Sequence, residues 1–131
     1  MVVSLINTHE YTFSVDNFGD PKVLKNAAAI ATILTRLLLL EPGTIQSHPN
    51  MGVGLVSKYR YTIEDKLITL RDDFRYQIEK YLPQYQGVEV QVYLEGKICY
   101  INATIDNIIY AFFYDTESND LKSTFKELAD L

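Results

Sequence analysis

Val88-Glu89-Val90-Gln91-Val92-Tyr93-Leu94-Glu95-Gly96-Lys97-Ile98-Cys99-Tyr100-Ile101-Asn102-Ala103-Thr104-Ile105-Asp106-Asn107-Ile108-Ile109-Tyr110-Ala111-Phe112-Phe113-Tyr114 contains two turn signals between three β-rich runs. Val88, Val90, Val92 and Leu94 alternate with Glu89, Gln91 and Tyr93, the period of a strand with one buried and one open face. Glu95-Gly96 reads as a hairpin turn leading to a second strand, Ile98 to Ile105. Asp106-Asn107 reads as a second two-residue turn, because both types tolerate the positive φ of a primed turn. Ile108 to Tyr114 is apolar on both faces. One helix layer covers one face of a sheet, so the other face or an open edge is expected to meet a partner.

Upstream, Tyr61-Thr62-Ile63-Glu64-Asp65 predicts a second helix capped by Thr62, with Asp65 at the capping-box position. Ile63, Leu67, Leu70, Phe74, Ile78 and Tyr81 share one side of its wheel, and mixed charges occupy the remainder. Leu82-Pro83 ends it, because the proline ring disfavours helical geometry in the residue before it. The first helix starts at Asp20-Pro21, N-cap and first helical position, and runs to about Leu40. It is apolar around most of its circumference, as a helix covered on several sides requires.

At the ends, Tyr11, Phe13 and Val15 alternate with polar residues and predict an extended arm over residues 1–19. Residues 116–131 are acidic, and Leu121, Phe125 and Leu128 predict a short amphipathic helix there. The expected fold is therefore one α+β domain over 1–131. Two main helices pack on a three-stranded antiparallel meander, flanked by the arm and the short C-terminal helix.

Composition narrows the function. The chain has 131 residues, 47% hydrophobic and 22% charged, a globular composition in which about two-thirds of the unfolded surface can be buried. A net charge of −5 disfavours unspecific attraction to nucleic acid, which needs basic surface. The apolar run Ala27 to Leu40 is too short for a bilayer, and the start lacks a signal-peptide pattern. Cys99 excludes an intramolecular disulfide and sits in an apolar strand as a core filler. His9, His48 and Cys99 show no metal-ligand spacing, and Gly52-Val53-Gly54 lacks the features of a phosphate loop. No cofactor is expected.

Between the helices, Leu37-Leu38-Leu39-Leu40-Glu41-Pro42-Gly43-Thr44-Ile45-Gln46-Ser47-His48-Pro49-Asn50-Met51-Gly52-Val53-Gly54-Leu55 runs from a Leu-rich helix into a loop shaped by prolines and glycines. Such loops position surfaces for binding. The Leu-rich helix, the turn at Gly43 and the segment Pro49-Asn50-Met51-Gly52-Val53-Gly54-Leu55 resemble the lysozyme-like baseplate wedge proteins, or sheath initiators, of contractile phage tails. The resemblance spans residues 21 to 115. It implies a structural virion protein, present in several copies in a six-fold baseplate, that joins the baseplate to the tail sheath and starts sheath assembly. The implied partners are other wedge proteins, the sheath subunit and the tail tube, with neither nucleic acid nor membrane. An equivalent part of a phage-derived injection or type VI-like secretion machine fits the same residues.

The family's Glu-Pro-Arg motif after the second helix grips helices of neighbouring wedge proteins. Here Tyr81, Leu82, Pro83, Gln84 and Tyr85 occupy that place, so Pro83 is kept while the acid and the arginine are replaced by Leu82 and Gln84. The resemblance also implies strand exchange with the sheath, placed on Ile108, Tyr110, Phe112 and Tyr114. The competing class is a peptidoglycan hydrolase. It needs two carboxylates across a cleft, one of raised pKa. Glu41 is the best single acid, but Asp65, Asp72 and Asp73 fall on a polar helix face and supply no evident second one. The expectation is a protein without catalytic residues.

Overall fold

The computed structural model describes residues 2–5, 21–85 and 87–127. Strand β1 (Val2–Leu5) comes first, followed by helix α1 (Pro21–Leu39). A π-helical turn (Leu55–Tyr59) and a 3-10 turn (Ile63–Asp65) lead into helix α2 (Leu67–Tyr81). Four strands complete the chain: β2 (Glu89–Glu95), β3 (Ile98–Ile105), β4 (Ile108–Asp115) and β5 (Leu121–Glu127). All five strands form one antiparallel sheet in the order β1-β5-β4-β3-β2.

Two expectations are corrected here. The meander has four strands rather than three, and β1 adds a fifth at its edge. The C-terminal helix expected around Leu121 and Phe125 is instead β5, paired to β4 from Tyr114↔Leu121 to Ile108↔Glu127. Leu121 and Phe125, four apart, satisfy a helical stripe and a strand face equally. Tertiary pairing decides, because β4 carries apolar side chains on both faces and a free second edge would leave its ladder groups without partners. Of the expected arm, Val2–Leu5 is β1, while Tyr11, Phe13 and Val15 lie outside the described residues, as do Asp20 and Leu128.

One face of the sheet makes the core. Cys99, Ile101, Ala103 and Ile105 of β3, Tyr110, Phe112 and Tyr114 of β4, and Leu121 and Phe125 of β5 are buried there. Ala27, Ala31, Leu34, Leu37 and Leu38 of α1 and Leu70, Phe74 and Ile78 of α2 belong to the same cluster. The Phe74 and Phe112 rings meet edge to face at 6.1 Å. Each large apolar side chain moved out of water contributes about 1.5–3 kcal/mol. Thr32 and Thr35, inside α1, donate to the carbonyls of Ala28 (3.0 Å) and Ala31 (2.7 Å), so neither hydroxyl is left without a bond. Burial pushes the Cys99 thiol up to about 12, as suits a packing residue.

Local chemistry sets the boundaries. Thr62 does not cap α2: its hydroxyl donates to the Lys58 carbonyl at 3.1 Å, and the chain passes through the 3-10 turn before the helix starts at Leu67. The exit is as read, with the Leu82 N–H bonded to the Ile78 carbonyl at 2.8 Å ahead of Pro83. Asp106 and Asn107 form the β3–β4 turn at φ 49° and 65°. The β2–β3 turn lies one residue later than expected, at Gly96-Lys97, since Glu95 pairs with Ile98.

The β4–β5 connection depends on one carboxylate. Asp115 Oδ1 accepts from the N–H groups of Glu117 (2.9 Å) and Ser118 (3.1 Å), while Arg60 donates to the Thr116 and Glu117 carbonyls. The Ser118 N–H, then that of Glu117 and the Lys97 ammonium, hold the Asp115 carboxyl below the usual carboxylate range. Its contribution is therefore complete above the ordinary value near 3.9 and disappears as pH falls through the lower folded value. In an acid titration followed by NMR, the Glu117 and Ser118 amides should move with the Asp115 carboxyl, and Asp115→Asn should abolish that step.

Candidate partner surface at the loop and the helix exit

The loop after α1 is held at both ends. Leu40 continues the helical pattern by bonding to the Arg36 carbonyl at 2.8 Å. The returning chain is tied back to the same turn, with Val53 N–H bonded to the Leu37 carbonyl (2.8 Å) and Gly54 N–H to that of Leu40 (3.0 Å). Gly43 N–H reaches the Pro49 carbonyl at 2.8 Å and closes the neck.

Gln77 fixes the middle from α2. Its side chain is buried, its Oε1 accepts from Gly52 N–H at 2.8 Å, and its Nε2 donates to the Asn50 carbonyl at 3.0 Å. Gly52 has φ 115°, and a Cβ there would lie 2.2 Å from the Leu40 carbonyl oxygen. Only glycine permits that approach.

The expected loop residues thus divide by role. Gly52, Gly54 and Leu55 are buried and shape the loop, whereas Gly43 and Pro49 are exposed at its neck. Glu41 also braces it: its carboxylate accepts a hydrogen bond from Ser57 Oγ, and its carbonyl accepts from the Thr44 hydroxyl.

At the helix exit Tyr81 and Tyr85 are half-buried, Pro83 and Gln84 are exposed, and Leu82 is only 6% exposed. Leu82 is therefore a core residue, and the surface at this exit comes from its neighbours. The tip and the exit are adjacent, since the His48 ring meets Tyr81 edge to face at 5.8 Å. Lys80 Nζ sits over the rings of Tyr76 and Tyr81, at 5.6 and 5.4 Å, and extends the patch.

The strand expected to offer an edge is internal. β4 bonds β3 on one side and β5 on the other, Tyr110, Phe112 and Tyr114 are buried, and Ile108 is half-buried. Tyr114 also engages Asn119 through its hydroxyl. Among the described residues the free edges belong to β2 and β1. The face away from the helices carries an aromatic row beside the β2 edge. Tyr93, 47% exposed, stacks on Tyr100 at 4.8 Å, and Tyr100 meets Phe113 edge to face at 5.5 Å.

Sequence reading missed Gln77, although a signal existed: it falls three residues after Phe74 and seven after Leu70, on the apolar side of the wheel. A polar residue there needs buried partners. The aromatic row depended on register, which pairs Tyr93 with Tyr100 and Tyr100 with Phe113. Among the described residues no cluster of three or more His, Cys, Asp or Glu could hold a metal, and no helix is long and apolar enough to cross a membrane. Compared with protein-family models, curated proteins and solved structures, the chain matches none.

Proposed function

We propose that this chain is a structural baseplate wedge component of a contractile phage tail, joining baseplate to sheath and initiating sheath assembly, without a catalytic role. The observation that carries the reading is the loop locked by Gln77 against the α2 exit. A loop ordered before its partner arrives loses little conformational entropy on binding, the economy that an assembly surface requires. His48, Pro49, Tyr81, Pro83 and Gln84 form the wedge contact, and Gln84 offers neutral hydrogen bonds where the family places a charged fork.

The sheath contact moves from β4 to the free edge of β2, Glu89–Glu95, where an added strand would gain main-chain bonds beside the Tyr93 row. Electron microscopy of particles assembled without this chain should show baseplate or tube lacking organised sheath; normal contractile tails would refute the proposal. Single prolines along 90–94 should fall into two groups. Those removing an N–H that faces β3 destabilise the domain, and those removing an outward N–H keep its melting temperature but stop sheath polymerisation.

A further inference from the structure

The free edge of β2 carries charges that its own sheet does not use. Glu95 and Ile98 flank a two-residue turn, so this pair exchanges both of its backbone bonds. By the antiparallel alternation Glu89, Gln91 and Tyr93 also bond β3, and Val90, Val92 and Leu94 turn their N–H and C=O groups outward. Glu89, Gln91, Tyr93 and Glu95 are exposed on the outer face, while Val90 is buried and Val92 and Leu94 are half-buried against the core. Glu89 lies opposite Thr104 and Glu95 opposite Ile98, and neither acid has an ion pair among the described residues.

We propose that β2 admits an antiparallel strand of a partner protein bearing Lys or Arg at the two positions opposite Glu89 and Glu95, and excludes a second copy of this chain. On the assembly role proposed above, on which this rests, that strand belongs to the sheath subunit. A strand bonded to Val90, Val92 and Leu94 meets Glu89 and Glu95 in the non-hydrogen-bonded pairs. Side chains stand closest there, so opposite charges gain most and like charges lose most. The partner's intervening positions face Val92 and Leu94 and are apolar. A second copy paired along the whole of β2 puts Val92 opposite Val92 and Glu89 opposite Glu95 at both ends. That like-charge contact, made twice, keeps the edge from pairing with itself.

The test is an NMR titration of the full chain with the end-capped peptide Lys-Val-Tyr-Val-Thr-Val-Lys, beside the same peptide with Glu at both ends. The lysine peptide should shift the Val90, Val92 and Leu94 amides saturably at millimolar concentration, about ten-fold more tightly than the glutamate peptide. Salt at about 1 M should narrow that ratio, because the pairs are exposed. Glu89→Lys with Glu95→Lys alters two exposed side chains, so it should keep the melting temperature and reverse the preference. Sedimentation of the parent should show no dimer built on β2. Absence of saturation with the lysine peptide, equal binding of the two peptides, no reversal in the double variant, or a parent dimer through β2 would each overturn the charge selection. The titration needs no particles, so its failure is distinct from that of the assembly role, which falls only if particles lacking this chain build normal sheath.

Discussion

Gly52→Ala should lower stability by about 3 kcal/mol or more, a fall of roughly 10 °C in melting temperature. Two penalties act together. The φ of 115° lies where side chains rarely go, and the new Cβ would sit 2.2 Å from the Leu40 carbonyl oxygen, an acceptor already used by Gly54 N–H. Gly43→Ala is the control: φ is 91°, but a Cβ there meets nothing within 4 Å, so only the conformational penalty of about 1 kcal/mol remains. Urea unfolding of the two variants beside the parent separates the effects. Equal losses would show that the close approach of the loop to α1 does not exist in solution.

Gln77→Leu is the second large effect, about 2–3 kcal/mol. Leucine fits an apolar helix face but leaves Gly52 N–H buried without an acceptor and Asn50 without its donor. Gln77→Glu keeps the acceptor for Gly52 but turns a second oxygen toward the Asn50 carbonyl, so the neutral acid is favoured in the fold and its pKa rises. A raised folded pKa contributes stability that is complete below about pH 4 and lost as pH climbs through the folded value. The glutamate variant should therefore overtake the leucine variant in acid only. Under the assembly role proposed above, both should weaken capture by wedge partners near neutral pH more than a surface change such as Arg71→Ala, because the loop then has to be ordered on binding.

Much of this fold was legible because local chemistry and global packing agree. Pro21, the Leu-rich run, Leu82-Pro83 and Asp106-Asn107 place α1, the end of α2 and one hairpin close to where they stand. The readings failed where one pattern serves two structures. Leu121 and Phe125 fit both periods, and only the vacant side of β4 selects the strand. Thr62 has the chemistry of a cap, but its hydroxyl is taken by Lys58 of the preceding turn. At the candidate surface, the glycines announced a shaped loop. They could not announce that Gln77, twenty-five residues away from Gly52, closes it, nor that Leu82 turns inward.

The place of β1 has a kinetic consequence. Hairpins β2–β3, β3–β4 and β4–β5 close over short separations and can form quickly, whereas Val2 pairs with Phe125 across almost the whole chain. Closing so long a loop carries an entropic penalty of about 4 kcal/mol beyond the fixed cost of any closure, and this is repaid only once β5 offers a finished edge. Synthesis sharpens the delay, since Val2–Leu5 is made before β5 and must wait on the order of ten seconds for its partner at typical elongation rates. During that interval the four residues are available to any other unpaired edge nearby. In refolding experiments, β1 amides should gain protection from exchange last, after the meander is complete.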